Sequence, residues 1–133
     1  MLKEEAIKEM ENYFGTDTRR INHAKKVTNF ALDILNSEKI DNPYFSKTVT
    51  LTGVFHDIGI HEAEKKYNSN SGKYQEIEGP PIARMILEKM NIEKEVIAKI
   101  AIIAITTISS INVYPSFFVI MLPLNSKLSE ASK

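Results

Sequence analysis

Apolar residues recur at helical spacing through the first part of the chain. The first group is Leu2, Ala6, Ile7, Met10, Tyr13 and Phe14, with Lys and Glu between them. This pattern predicts an amphipathic helix that ends near Gly15. The second group is Ile21, Ala24, Val27, Ala31, Ile34 and Leu35. It predicts a second helix from about Thr18 to Ser37, capped by Thr16 or Asp17.

The next segment has two patterns at once. Asn42-Pro43 favours the start of a helix, with Asn as the cap and Pro in the first turn. The alternating residues that favour a strand are Val49, Leu51, Gly53 and Phe55, and four β-branched residues lie between Thr48 and Thr52. Helical spacing of Val54, Phe55 and Ile58 fits a helix equally well. Local propensity therefore leaves helix and strand open.

The remaining part of the first hundred residues predicts two more helices. Residues 60–79 form a polar connection with a loop at 68–72, and Gly79-Pro80-Pro81 breaks the chain and starts a fourth helix. Its expected core positions are Ile82, Met85, Ile86 and Met90. A fifth helix is expected from Glu93 to about Ile105. The pattern as a whole predicts one all-α domain over residues 1–133, a compact bundle of about five or six helices.

Composition restricts the class of protein. The chain has 133 residues, 43% of them apolar, which suffices for one domain with a hydrophobic core. Its 17 basic and 17 acidic residues cancel, so we expect no nucleic-acid polymer as a partner. The absence of Cys excludes disulfides and thiolate metal sites. A charged N-terminus without a signal-peptide pattern favours a cytoplasmic location.

The tail differs from the rest of the chain, because no charged residue occurs from Ile100 to Ser126. Its length would allow a membrane span, but Pro115, the preceding Ser, Thr and Asn, and the lack of an aromatic and basic flank count against one. We expect residues 102–133 to cover the bundle or to pair with another copy of the chain, giving a homodimer. A changed reading frame near the end of the gene would also explain the altered composition.

The sequence also contains an adjacent His-Asp pair, His56-Asp57, inside an apolar run. A carboxylate among apolar residues is costly unless a cation or another partner compensates it. Imidazole and carboxylate together suit Zn²⁺, Fe²⁺ or Mn²⁺. A second imidazole, His23, lies at the edge of the apolar stripe of the second helix. By itself His23 is better explained as a histidine at the edge of the core, and only its combination with His56-Asp57 favours a metal ligand. By itself the pair is a dipeptide that also occurs by chance.

Together these residues resemble the HD-domain metal-dependent phosphohydrolases. The similar segments are Arg20-Ile21-Asn22-His23-Ala24, His56-Asp57-Ile58-Gly59 and Glu78-Gly79-Pro80-Pro81-Ile82-Ala83, within a span from about Thr16 to Ile100. The resemblance implies an all-α bundle and a helical third segment. It implies that His23, His56 and Asp57 bind a divalent metal (Mn, Fe, Zn, Co or Mg), with His56 and Asp57 catalytic. It further implies a small phosphorylated substrate, a nucleotide or another phosphoester.

Three basic residues are candidates for contact with the phosphate of such a substrate: Arg20, His61 and Lys66. The charged residues between Ile60 and Gly79 could instead form an ordinary solvent-exposed surface without contact to a substrate. In two-metal members of the family a His precedes a Gly near the place of Gln75, so the glutamine here predicts one metal. Gly53 would let a neighbouring helix approach closely.

One departure from the family pattern concerns the fourth metal ligand, an Asp after the fifth helix. No Asp follows Asp57 in this sequence. Two hypotheses result: a phosphohydrolase impaired by the loss of one ligand, or a degenerate, non-catalytic helical domain that retains the fold or weak ligand binding. A carboxylate such as Glu78 could replace the missing ligand.

Overall fold

A computed structural model describes residues 1–100 of the chain. The helices are α1 (Leu2–Phe14), α2 (Thr18–Ser37), α3 (Pro43–Phe55), α4 (Ile60–Tyr67) and α5 (Gly72–Lys89). A further helical segment covers 94–100. No strand occurs among these hundred residues, so the predicted all-α fold is confirmed. The predicted end of the fifth helix and the predicted packing of the tail lie outside the described residues.

The first two helices have the bounds that their apolar pattern predicts. Gly15, at φ 60°, ends α1, and its N–H donates to the Glu11 carbonyl at 2.8 Å. This positive φ suits glycine, which has no Cβ to clash with the backbone. Asp17 then caps α2, because its Oδ1 accepts from the Arg20 backbone N–H at 3.1 Å. A single residue, Thr16, therefore separates the glycine stop from the aspartate cap.

Helix α3 lies at the centre of the bundle, and its residues from Thr48 to Phe55 are all buried. It begins at Asn42, whose Oδ1 accepts from the Phe45 backbone N–H at 2.9 Å. The hydroxyl groups of Thr48, Thr50 and Thr52 each donate to the carbonyl four residues earlier. These bonds satisfy the polar groups of a β-branched segment inside an apolar environment. Tertiary burial thus selects the helix over the strand.

The prediction for residues 60–81 is wrong in two respects. The polar connection is largely helical, because α4 covers Ile60–Tyr67 and α5 begins at Gly72. Asn68, whose φ is 51°, caps the C-terminal end of α4. Helix α5 then continues through Pro80 and Pro81 instead of starting there. Gly79 explains part of this tolerance: a proline ring clashes with the Cβ of the residue before it, and Gly79 has none. Pro80 and Pro81 lack the N–H groups that would bond to the preceding turn of the helix. Buried residues on both sides of the two prolines hold α5 in place.

The core lies between α1, α2, α3, α5 and the segment 94–100. Its largest fully buried side chains are Met10, Leu51, Ile58, Leu87 and Ile100. Each contributes about 1.5–3 kcal/mol through burial. Met85, a predicted core position, is instead 61% exposed, whereas Ile86 is buried as predicted. Within residues 1–100, no helix is both long and apolar enough to cross a membrane.

Two glycines set the separations between helices near the His-Asp pair. A Cβ on Gly53 would lie 3.1 Å from the Cα of Thr28, so α2 and α3 cross at nearly backbone distance, as predicted for Gly53. A Cβ on Gly59 would lie 2.5 Å from the backbone N of Gly79, so the start of α4 touches the backbone of α5. The turn that follows His56-Asp57 is therefore held between two close contacts.

Candidate metal centre

The structure brings His23 of α2 together with His56 and Asp57, which directly follow α3. The Nε2 atoms of the two histidines are 3.2 Å apart. Asp57 Oδ2 lies 3.4 Å from His23 Nε2 and 3.2 Å from His56 Nε2. The predicted convergence of these three side chains across two helices is thus present in the structure, and we refer to them as the His23–His56–Asp57 triad.

The ring of His56 is oriented by the last turn of α3. Its Nδ1 lies 2.8 Å from the Gly53 carbonyl oxygen, which can only accept a hydrogen bond. Nδ1–H is therefore the donor, and Nε2 keeps the lone pair that faces the other two ligand atoms. Metal-binding histidines are commonly fixed in this way, with the second ring nitrogen donating to a carbonyl or carboxylate.

The spacing of the three atoms matches that of ligands around a divalent ion. Ligands about 2.1 Å from an ion are about 3.4 Å apart at a tetrahedral angle and about 3.0 Å apart at a right angle. The three edges of the triangle, 3.2, 3.2 and 3.4 Å, lie in this interval. Two imidazoles and one carboxylate suit Zn²⁺, Fe²⁺, Co²⁺ or Mn²⁺. The donor set therefore fits the group that the sequence predicts.

Burial and charge shift the pKa of each member of the triad. Burial, followed by the nearby His56 charge, lowers the pKa of His23, whose side chain is 47% exposed. Burial opposes the charged forms of His56 and Asp57, but their mutual hydrogen bond and attraction outweigh it. The pKa of His56 is therefore raised and that of Asp57 is lowered. A proton and a metal ion thus compete for the same three atoms.

The three predicted phosphate-contacting residues are each paired with carboxylates. Arg20 donates to Asp17 Oδ2 at 2.6 Å and to Glu64 Oε1 at 2.5 Å. His61 Nε2 lies 3.0 Å from Asp17 Oδ2. Lys66 Nζ donates to Glu78 Oε2 at 2.6 Å. Neither His61 nor Lys66 belongs to the triad of converging ligand atoms found within residues 1–100.

Glu78, the carboxylate considered as a replacement ligand, is already bound on both oxygens. Its Oε2 accepts from Lys66 and its Oε1 accepts from the Tyr67 hydroxyl at 3.0 Å. The hydrogen bond from Lys66 is the main cause of the lowered pKa of Glu78, so the carboxylate is held as an anion. Its charge is therefore balanced within α4 and α5, away from the converging ligand atoms.

Sequence reasoning missed the roles of Asp17 and Glu64. The sequence predicts Thr16 or Asp17 as the cap of α2; Asp17 is the cap, and it also binds the side chains of Arg20 and His61. The spacing of Asp17 and Arg20, three residues apart at a helix start, is a signal for the first contact. The contacts of Asp17 with His61 and of Arg20 with Glu64 each span 44 residues, and no local pattern indicates them.

Comparisons with protein-family models, curated proteins and solved structures found no match to this chain. A functional hypothesis must accordingly be supported by the motif residues and by the geometry of the side chains that they bring together.

Proposed function

We propose that this chain is a metal-dependent phosphohydrolase of the HD-domain type, acting on a nucleotide or another small phosphoester. The observation that carries the proposal is the convergence of His23 Nε2, His56 Nε2 and Asp57 Oδ2 at metal-ligand spacing. His23 and His56 are 33 residues apart in sequence, so the fold itself creates the arrangement. The resemblance of the surrounding segments to HD-domain proteins supplies the reaction class.

A bound divalent ion would lower the pKa of a water molecule and neutralise charge on the phosphoryl oxygens. The side chains of the chain hold and orient the participants. Gly53 fixes the ring of His56 through its carbonyl. Asp57 offers a second oxygen besides Oδ2, which can accept a hydrogen bond from the attacking water. Three protein ligands leave coordination positions open for water and substrate, as in many catalytic zinc sites.

A second candidate is a non-catalytic helical domain that binds a metal or nucleotide weakly. The absence of any Asp after Asp57 favours it, because the fourth ligand of the family pattern is then missing. Changes outside the ligands themselves already cost about 10–100-fold in metal affinity or activity. Loss of a ligating carboxylate should cost at least as much, so slow hydrolysis and a readily removed metal are expected even if the enzyme is active.

Metal titration of the chelator-treated protein separates these possibilities. We expect wild-type protein to bind one equivalent of Zn²⁺ or Mn²⁺ by calorimetry, and His23→Ala to bind none. Asp33→Asn is a matched control, since it removes an exposed carboxylate from the same helix. Hydrolysis of 4-nitrophenyl phosphate is then measured with and without added Mn²⁺. Wild-type protein that binds neither ion would refute the proposal, and binding without turnover would favour the second candidate.

A further inference from the structure

A second group of polar side chains joins the start of α2 to α4, near the triad in sequence. We call it the Asp17–His61 cluster, and it contains Asp17, Arg20, His61 and Glu64. Asp17 Oδ2 accepts from Arg20 at 2.6 Å and from His61 Nε2 at 3.0 Å. Arg20 also reaches Glu64. The imidazole of His61 is thereby tied to a carboxylate that is itself held by a guanidinium group and by the N-terminus of α2.

The ring of His61 is fixed on its other sides by aromatic contacts. Phe14 meets it edge-on with centroids 5.0 Å apart, and Tyr13 stacks on it at 6.3 Å. Because Nε2 is bonded to Asp17, Nδ1 is the ring nitrogen that remains for another partner, and the side chain is 32% exposed. A carboxylate behind an imidazole fixes the tautomer and the orientation of the ring. The arrangement is that of a preorganised proton donor or acceptor.

The charges of the cluster do not suit it to binding a phosphate. One guanidinium group, Arg20, faces two carboxylates, Asp17 and Glu64, and its side chain is only 14% exposed. An incoming phosphate would therefore meet two anions and would have to displace them from Arg20. This cluster is thus poorly suited to holding an anion.

The position of the cluster relates it to the triad. Arg20 precedes His23 by three residues on α2, which corresponds to about 4.5 Å along the helix axis. His61 follows Asp57 by four residues, across a turn held by the contact of Gly59 with Gly79. Both ends of the cluster therefore lie within about one helical turn, along the chain, of a member of the triad.

We propose that His61 donates a proton to the leaving oxygen of a phosphoester bound at the His23–His56–Asp57 triad, and that Asp17 is its positioning residue. This inference rests on the function proposed above. In the step, a water oxygen bonds to phosphorus and the water releases one proton to solvent. The bond from phosphorus to the leaving oxygen breaks, and its electron pair stays on that oxygen. The oxygen takes the proton of His61, and the neutral imidazole regains a proton from solvent.

The test compares two substrates that differ in how much their leaving groups need a proton. 4-Nitrophenolate departs readily without one, whereas the benzyl alkoxide of benzyl phosphate does not. With saturating Mn²⁺, we expect His61→Gln to lower kcat for benzyl phosphate by about 100-fold, a usual size for general acid catalysis. The loss for 4-nitrophenyl phosphate should be less than about threefold. Asp17→Asn keeps a good helix cap and should show the same selectivity with a smaller loss.

A second measurement does not depend on the metal or on activity. In the chelator-treated protein, ¹⁵N NMR should find the neutral His61 ring protonated on Nε2, and Asp17→Asn should reduce this preference. Circular dichroism and melting curves establish that both variants fold. A ring protonated on Nδ1, equal losses on both substrates, or no loss on either would overturn the role of His61. If folded wild-type protein binds Mn²⁺ but hydrolyses neither compound, the proposed function fails and the inference fails with it.

Discussion

The two polar groups of this fold differ in how their atoms are satisfied. In the Asp17–His61 cluster, every contact pairs a donor with an acceptor: Arg20 and His61 both donate to Asp17. In the His23–His56–Asp57 triad, the three facing atoms are two ring nitrogens and a carboxylate oxygen. With a neutral His56 ring donating through Nδ1 to Gly53, its Nε2 and the Asp57 Oδ2 both carry lone pairs, which a shared cation or proton can bridge.

The comparison teaches that clustering of charged residues is not by itself a sign of ligand binding. Both groups contain histidine and aspartate on α2 and on the segment that follows α3. In one, the hydrogen bonds pair donors with acceptors of the same cluster, which suits the holding and orientation of its members, and the Nε of Arg20 is its only buried side-chain polar atom without a partner among residues 1–100. The other brings two imidazole nitrogens and a carboxylate oxygen together, which suits the binding of a cation or a proton. If this difference in hydrogen bonding is also a difference in role, substitutions in the two groups should affect metal affinity and stability differently.

The largest expected effect is on metal affinity. Asp57→Ala should weaken Zn²⁺ binding by at least about 100-fold, because it removes a ligand rather than a residue behind one. Asp17→Asn makes the same change of charge in the other group and should leave the affinity within about threefold. Competition with a chromophoric chelator measures both constants. Equal losses in the two variants would remove the distinction between the groups.

Metal should also stabilise the fold, since the triad forms only when α2 and α3 are packed. Zn²⁺ at 100 times its Kd should stabilise wild-type protein by about 2.7 kcal/mol, and should not stabilise His23→Ala. Protons compete for the same atoms, and the pKa of His56 is raised, so this stabilisation should shrink as the pH falls from 7.5 to 5.5. Thermal melting with and without Zn²⁺ at both pH values provides the measurement. An undiminished shift at pH 5.5 would indicate other ligands.

The turn that joins the two groups can be tested through its paired glycines. A Cβ on Gly59 would lie 2.5 Å from the Gly79 backbone N and 2.9 Å from the Gln75 carbonyl oxygen, so Gly59→Ala should cost about 1–3 kcal/mol of stability. Apart from its chain neighbours, a Cβ on Gly79 would meet nothing closer than 3.7 Å. Gly79→Ala is therefore the matched control for the contact between α4 and α5, and it should cost less than Gly59→Ala, with the loss coming from the Pro80 ring that follows it. Urea denaturation measures both. Similar costs for the two variants would contradict the close approach at Gly59.

The smallest expected effect concerns the helix cap. Asp17→Ala should lose about 1 kcal/mol, whereas Asp17→Asn should lose less because asparagine caps equally well. The hydrogen bond from His61 is the main cause of the lowered pKa of Asp17. The ionised Asp17 carboxylate therefore stabilises the fold fully above the pKa that it has in the unfolded chain, about 3.9. This stabilisation is lost as the pH falls below that value. Urea midpoints at pH 3 and pH 6 should thus differ more for wild type than for Asp17→Asn.

Sequence reasoning succeeded where the determinants are local. The bounds of α2 followed from the Asp17 cap and the apolar stripe, and the placement of His56-Asp57 at the end of α3 followed from the family resemblance. It failed at Pro80 and Pro81, because the rule that proline ends a helix does not include the neighbouring Gly79. It also failed for Met85, which is helical but faces solvent.

The partners of the basic residues could not be predicted from sequence. Asp17 and His61 are 44 residues apart, and their contact depends on how α4 turns after Asp57. The same holds for Arg20 and Glu64. Only the folded chain, which places α4 near the start of α2, determines which carboxylates these side chains meet. The predicted contacts of Arg20, His61 and Lys66 with a phosphate therefore stay predictions. In the structure these three side chains contact carboxylates.

The buried threonine-rich helix α3 has a consequence for the order of events during folding. Its β-branched residues form helices poorly in isolation, and its stability comes from being surrounded on all sides. It should therefore form together with α1 and α2 rather than before them. His56 and Asp57, which follow its last turn, acquire their final geometry in the same cooperative event. A nascent chain would thus gain the candidate metal centre abruptly, at the moment when its core closes.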